Sequence, residues 1–318
     1  MKRNAIIMGA SLLISCSSSG VEKYAAPDNK VLIINGYEAS HHDFPAIGAL
    51  VSYQGMKESC TVSLIKKDLA LTAAHCIDEY VTKEGAVLYG RDAVFEDSCQ
   101  ADECAKYLHP IVAARVHPQY DDYVATENHH DFGLLLLKRE IADAKPIDLL
   151  YTDDFNKVLR IGDYVTIAGY GAFSWELFGE SKGGKLFAAD VLITGYHNLS
   201  EIMVGENDPN KGNACFGDSG GPVYVYSRGQ VQLTGVASRI AELSENEIPE
   251  CGKSSIIYGL PSLEKEWIES EYKELREKYP LETDAVPSGG CQISSRPLPQ
   301  APGFLTLLLA GYFLRRRR

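Results

Sequence analysis

Gly217-Asp218-Ser219-Gly220-Gly221-Pro222 is the most informative stretch of this 318-residue chain. It sets one serine hydroxyl among glycines, so the backbone can turn tightly and two N–H groups can converge on one point. A hydroxyl is a weak nucleophile unless a base takes its proton and a third group holds that base in one tautomer. Earlier in the chain, Thr72-Ala73-Ala74-His75-Cys76 offers the base. Asp131-Phe132-Gly133-Leu134-Leu135 offers a carboxylate at the start of an apolar strand, where burial would keep it beside the imidazole and away from water.

Around these segments, from Val31 to about Pro261, the chain consists of short β-rich runs broken by Gly, Pro, Asn and Asp. Ala46 to Tyr53, Ser59 to Ile65, Leu134 to Leu137, Tyr164 to Ala168 and Gln230 to Ala237 are the clearest. Helical spacing is confined to the end, where Leu263, Trp267 and Ile268, with Tyr272 and Leu275 beyond, recur amid charged residues. The expectation is an all-β body closed by a C-terminal helix.

Composition narrows the function classes. With 45% hydrophobic and 23% charged residues, the chain has ordinary globular composition and length for one large domain or two small ones. Its net charge of -12 argues against nucleic acid, because binding phosphates needs clustered Lys and Arg; a peptide-like or neutral partner is expected instead. Eight cysteines without a tandem CxxC pair of zinc-ligand spacing read as disulfides, which implies an oxidising compartment. No cofactor and no metal is expected, and acidic Glu96, Asp97, Asp102 and Glu103 read as solvated surface rather than a calcium site.

Both ends read as addresses. Lys2 and Arg3 precede an apolar stretch from Ala5 to Ile14 that suits a secretory signal and is too short to span a bilayer. Leu13-Ile14-Ser15-Cys16 resembles the bacterial lipobox, which implies a lipoprotein-type signal over residues 1–16, acylation of Cys16, and a tether or propeptide over 17–32. At the other end a linker over 281–303 precedes a short apolar segment and four arginines, 304–318. With Gly289-Gly290-Cys291 this resembles C-terminal sorting tails of myxobacterial type, the basic end staying cytoplasmic. Cys16 and Cys291 thus compete as attachment points. An exported chain, anchored at the cell envelope or surface or released from it, is expected.

Taken together, in the order His, Asp, Ser, the three chemical segments resemble the signature of the chymotrypsin/trypsin family of serine endopeptidases, over roughly Ile33 to Ile268. The resemblance implies two packed six-stranded antiparallel β-barrels with a C-terminal α-helix. They would form a peptidase domain over 33–280, with an N-barrel about 33–145, a C-barrel about 146–262 and the helix about 262–279. It implies that Ser219 attacks the carbonyl, His75 removes and returns the proton, Asp131 orients the imidazole, and the N–H groups of Gly217 and Ser219 form the oxyanion hole. Ser238 matches the position that supports the triad aspartate and pairs with substrate backbone. Disulfides Cys60–Cys76 and Cys215–Cys251 are implied, while Cys99 and Cys104 have no family counterpart and are expected to close a local loop. Ile33-Ile34-Asn35-Gly36 resembles a mature N-terminus whose freed ammonium pairs with Asp218, so a zymogen and an activating protease are expected. Leu32, rather than Arg or Lys, precedes that cut. His129 and His130 receive no family role and read as loop residues.

The substrate pocket departs from the trypsin pattern. Asn213 stands where an aspartate selects basic residues, Arg239 and Ile240 replace the usual aromatic residue and glycine, and Ile256 replaces another glycine. Specificity for small or medium aliphatic side chains in protein or peptide substrates follows. The same wall residues motivate an alternative, a catalytically silent surface binding module on this fold; retention of all three triad residues favours the enzyme. An esterase of the α/β-hydrolase type fits Gly217 to Gly221, but no histidine follows Ser219.

Overall fold

The computed structural model describes residues 32–52, 58–78, 81–93, 105–121, 129–151, 155–171, 184–227, 229–241 and 252–282. Cys16, Cys99, Cys104, Cys251, Cys291 and both address segments lie outside them. The chain divides into two compact units, Met1–Leu281 and Glu282–Arg318; of the second, only Glu282 is described.

After a two-residue strand β1 (Tyr37–Glu38), six strands build the first barrel: β2 (Ile47–Ser52), β3 (Glu58–Lys66), β4 (Leu69–Thr72), β5 (Gly85–Tyr89), β6 (Leu108–Val116) and β7 (Gly133–Leu137). They close in the order β2-β3-β4-β7-β6-β5, all neighbours antiparallel. Closure removes the free edges that an open sheet of these short strands would leave. Every residue of β7 is buried, so its sequence is a continuous apolar run rather than an alternation.

The second barrel uses β8 (Tyr164–Gly169), β9 (Phe187–Tyr196), β10 (Glu201–Val204), β11 (Pro222–Ser227), β12 (Gln230–Ile240) and β13 (Ile256–Gly259). Pairing runs β9-β10-β13-β12-β11-β8 and returns from β8 to β9, with β1 added beside β9. Ala168, Tyr224, Leu233 and Val236 of this barrel belong to the same buried cluster as the first barrel's core. The two barrels therefore share an apolar interface, and Met1–Leu281 forms one unit. The expected pair of six-stranded barrels and terminal helix is the architecture found.

That helix runs Lys265–Lys278 after a 3-10 turn at Pro261–Glu264. Ile268 and Leu275 are buried, and Trp267, Tyr272 and Tyr279 pack on the first barrel's core. Leu263, which shares the sequence spacing, falls in the 3-10 turn and remains exposed. The helix is tied down by Asp68 at the β3–β4 turn. Its buried carboxylate accepts from Arg276 Nε at 2.7 Å and from the Tyr272 hydroxyl at 3.0 Å, while Arg276 Nη2 also donates to the carbonyl of Leu137 at 2.9 Å. Removing one partner of a buried ion pair strands the other charge. Arg276→Ala is expected to lower unfolding free energy by about 3 kcal/mol in denaturant titrations, whereas Lys278→Ala at the exposed end of the helix should change it by less than about 0.5 kcal/mol.

Candidate active site

His75 stands in a 3-10 turn, Ala74–Cys76, directly after β4, and the Cys60–Cys76 disulfide ties this turn to β3. Asp131 stands two residues before β7, the strand paired with β4, so the two residues meet at the same barrel end. The backbone N–H of His75 donates to Asp131 Oδ1 at 3.0 Å, and His75 Nδ1 lies 2.8 Å from Oδ2. A carboxylate only accepts, so Nδ1 carries the imidazole proton and Nε2 carries the basic lone pair. Ser238, from the second barrel, donates its hydroxyl to the same Oδ2 at 2.6 Å. Burial pushes the Asp131 carboxyl up, but the donors from His75 and Ser238 outweigh it and hold the group below the usual carboxylate value.

The Ser219 loop is fastened to the first barrel through Thr61 of β3, which is fully buried. The Thr61 N–H donates to the carbonyl of Ser219 at 2.8 Å, and its hydroxyl donates to that of Gly217 at 3.0 Å while accepting from the Tyr170 N–H at 3.2 Å. No motif marks Thr61 in the sequence, and Ser63 of the same strand is a second buried hydroxyl, so nothing local singles Thr61 out. Gly217 and Gly220 adopt φ of 91° and 76°, a region side chains avoid. At Gly220 a Cβ would also stand 2.1 Å from Thr72 Oγ1, so the loop abuts the residues leading into His75. Cys215, Asp218, Gly220 and Gly221 spend their N–H groups within the loop or on β12. Those of Gly217 and Ser219 have no partner among the described residues.

Asp218 is buried beneath this loop. Its carboxylate accepts from the N–H groups of Gly171 at 2.9 Å and Cys215 at 2.8 Å, and burial pushes its pKa up to about 7. Ile33, fully buried in the second barrel's core, has φ of 39°. The next residues are threaded into the same barrel: the Asn213 N–H donates to the carbonyl of Ile34 at 3.0 Å, and Asn35 Nδ2 donates to that of Pro209 at 2.7 Å.

The sequence that carries this geometry, two barrels meeting around a His–Asp–Ser238 arrangement and a glycine-framed serine, matches the Trypsin family over residues 33–252. The chain belongs to the trypsin family. It is 28% identical to cathepsin G of Mus musculus over 204 residues, covering 60% of this chain and 71% of that one. It is 31% identical to chymase of Papio hamadryas over 209 residues, covering 60% and 75%. In fold it resembles neuropsin, a serine protease expressed in the limbic system of mouse brain, with a TM-score of 0.56 and 22% identity over 74% of this chain and 98% of that one. This trypsin-family chain is a serine endopeptidase.

The residues expected to line the substrate pocket are mostly engaged within the protein. Asn213 is buried and its amide is spent inside the protein, Nδ2 donating to the carbonyl of Ser254 at 2.8 Å and Oδ1 accepting from the Ala214 N–H at 2.9 Å. Ile256 is buried and Ile240 half-buried against the second barrel's core. Arg239 turns its guanidinium onto Glu201 of β10, with Nη1 to Oε1 at 2.8 Å and Nη2 to Oε2 at 2.9 Å. Cys215 is disulfide-bonded.

One of the two histidines left without a role in the sequence, His130, lies in a cluster beside Asp131. His130, with φ of 42°, places Nδ1 2.8 Å from Glu264 Oε1, and His117 places Nε2 3.1 Å from Oε2 with its ring stacked on that of His130. The three ligand-type atoms lie within 4.8 Å of one another. His117 Nδ1, however, accepts the Gln119 N–H at 3.2 Å, which puts the His117 proton on Nε2, toward Glu264. The donor set fits a hydrogen-bonded clamp between the Asp131 segment and the start of the terminal helix better than a metal ligand triad.

Proposed function

We propose that the chain cleaves peptide bonds with Ser219 as nucleophile, His75 as base and then acid, and Asp131 as the group that fixes the imidazole. The observation that carries this is the pair of bonds from His75 to Asp131, reinforced by the Ser238 hydroxyl, at the foot of the glycine-framed serine. Ser219 Oγ adds to the substrate carbonyl while His75 Nε2 takes its proton. The C–N bond then breaks as that proton passes to the leaving amine, and water hydrolyses the resulting ester by the same route. The uncommitted N–H groups of Gly217 and Ser219 are the donors for the oxyanion. A fluorophosphonate probe should label the processed protein, and Ser219→Ala should abolish labelling; a probe adduct that survives Ser219→Ala removes this assignment.

Primary specificity is non-basic. Asn213 supplies no charge and its amide is already satisfied, while the buried carboxylate of Glu201 is engaged by Arg239. A substrate ammonium or guanidinium would lose its hydration without gaining an anion. Peptide libraries should return small or medium aliphatic residues before the scissile bond, and a dominant Arg or Lys preference would overturn this reading.

The chain is made as a zymogen, activated by cleavage between Leu32 and Ile33. A β-branched residue at φ 39° is strained, and cutting before Ile33 removes that dihedral altogether while freeing an ammonium for Asp218. The lipobox-like and sorting-tail-like ends direct export and attachment at the cell envelope. Mass spectrometry of the native termini tests both points: a mature start other than Ile33 overturns the first, and unmodified Cys16 and Cys291 overturn the second.

A further inference from the structure

Arg239 follows Ser238 across a β-bulge, where the register of β12 against β13 shifts between Ala237 and Arg239. In a regular strand consecutive side chains point to opposite faces, and a bulge re-aims them. Here Arg239 Nη1 comes to 3.3 Å from the hydroxyl of Ser238, which in turn donates to Asp131 at 2.6 Å. A guanidinium has donors only, so Ser238 Oγ accepts from Arg239 and its single hydrogen is directed to Asp131. The bonds form one polar chain, Arg239 to Ser238 to Asp131, with His75 donating to Asp131 from the other side.

A cation one hydroxyl removed from the triad carboxylate would disfavour the imidazolium that His75 must become during the reaction. Glu201, two strands away across β13 and only 2% exposed, balances it with two bonds to the guanidinium. Asn198 Nδ2 at 2.7 Å and His197 Nδ1 at 3.0 Å complete the surroundings of Glu201. Burial pushes the Glu201 carboxyl up, but these donors, Arg239 foremost, bring it below its usual value and keep it ionised.

We infer that Arg239 and Glu201 form a positioning unit for the active site. Arg239 fixes the Ser238 hydroxyl as a donor to Asp131, and Glu201 neutralises Arg239 so that His75 keeps its basicity. This rests on the triad reading above. The pair stands at the wall position where Arg239 replaces the aromatic residue usual in the family that the sequence resembles.

The test is the pH dependence of kcat/KM for the processed enzyme and five variants, whose acid limb reports the imidazolium of His75. Glu201→Gln leaves the cation unbalanced and is expected to move the limb to lower pH by about one unit. Arg239→Met leaves the buried anion unbalanced and is expected to move it upward by about half a unit, with a fall in kcat as Ser238 loses its fixed donor direction. The double variant, neutral at both positions, should return the limb to within about 0.3 unit of the parent. His197→Asn, which removes the other titrating group facing Glu201, should leave the limb in place. A purely structural pair would lower melting temperature without shifting the limb in opposite directions, so equal or absent shifts in the two single variants overturn the inference. Arg239→Lys, which keeps the charge, should keep the limb position and serves where Arg239→Met fails to fold. Loss of the triad reading would appear separately, as failure of Ser219→Ala to abolish probe labelling.

Discussion

Asp131→Asn is expected to lower kcat by roughly 10^4 with little change in KM. Asp131 receives three donors on two oxygens: the His75 N–H, the His75 ring N–H and the Ser238 hydroxyl. An amide keeps only one oxygen, so its NH2 group must face a donor. Relief comes by moving the imidazole proton from Nδ1 to Nε2, which removes the lone pair that would accept the Ser219 proton. Because size and shape are preserved, substrate contacts remain and the loss falls on the chemical step. Steady-state kinetics on a peptide substrate decide the matter; a loss smaller than about tenfold would show that His75 does not depend on Asp131.

The second large effect concerns the uncleaved chain. Asp218, with a folded pKa raised to about 7 by burial, keeps its proton in the folded state after the unfolded chain has released it. Between the ordinary aspartate value of 3.8 and about 7 the folded state binds more protons, so stability must fall as pH rises through that window and level off above it. Three units of difference correspond to about 4 kcal/mol as an upper figure. Chemical denaturation of the Ser219→Ala chain, which cannot process itself, should show this decline, and Asp218→Asn should flatten it. Cleavage before Ile33 should do the same if the freed ammonium pairs with Asp218. A stability that rises from pH 4 to 7 and is indifferent to Asp218→Asn would refute the buried, cation-free carboxylate.

The distribution of what was legible in the chain follows from chemical locality. Gly217 to Pro222, Thr72 to Cys76 and Asp131 to Leu135 each carry a requirement within a few residues: a tight turn, an imidazole, or a carboxylate opening an apolar strand. The terminal helix was legible for the same reason, as a periodic apolar face, whereas the Cys60–Cys76 bridge, at a sequence separation of 16, was implied only by the family resemblance. Asn213 was visible as a missing charge, but its commitment to Ser254 and Ala214 was not, because nothing local dictates which way a buried amide turns. Arg239 was visible only as an oddity.

By itself the sequence determined an all-β body closed by a C-terminal helix and the identity of the residues offered for its chemistry, because short motifs with obligatory backbone geometry encode them; the two barrels came only as what the family resemblance implied. The tertiary structure alone decided which charges are balanced. Arg239 and Glu201 are 38 residues apart, His130 and Glu264 134, and Asp68 and Arg276 208. Such pairs leave no periodicity or spacing in the chain; they exist because barrel closure and helix docking bring distant side chains into one low-dielectric region, where an unpaired charge would be too costly to keep.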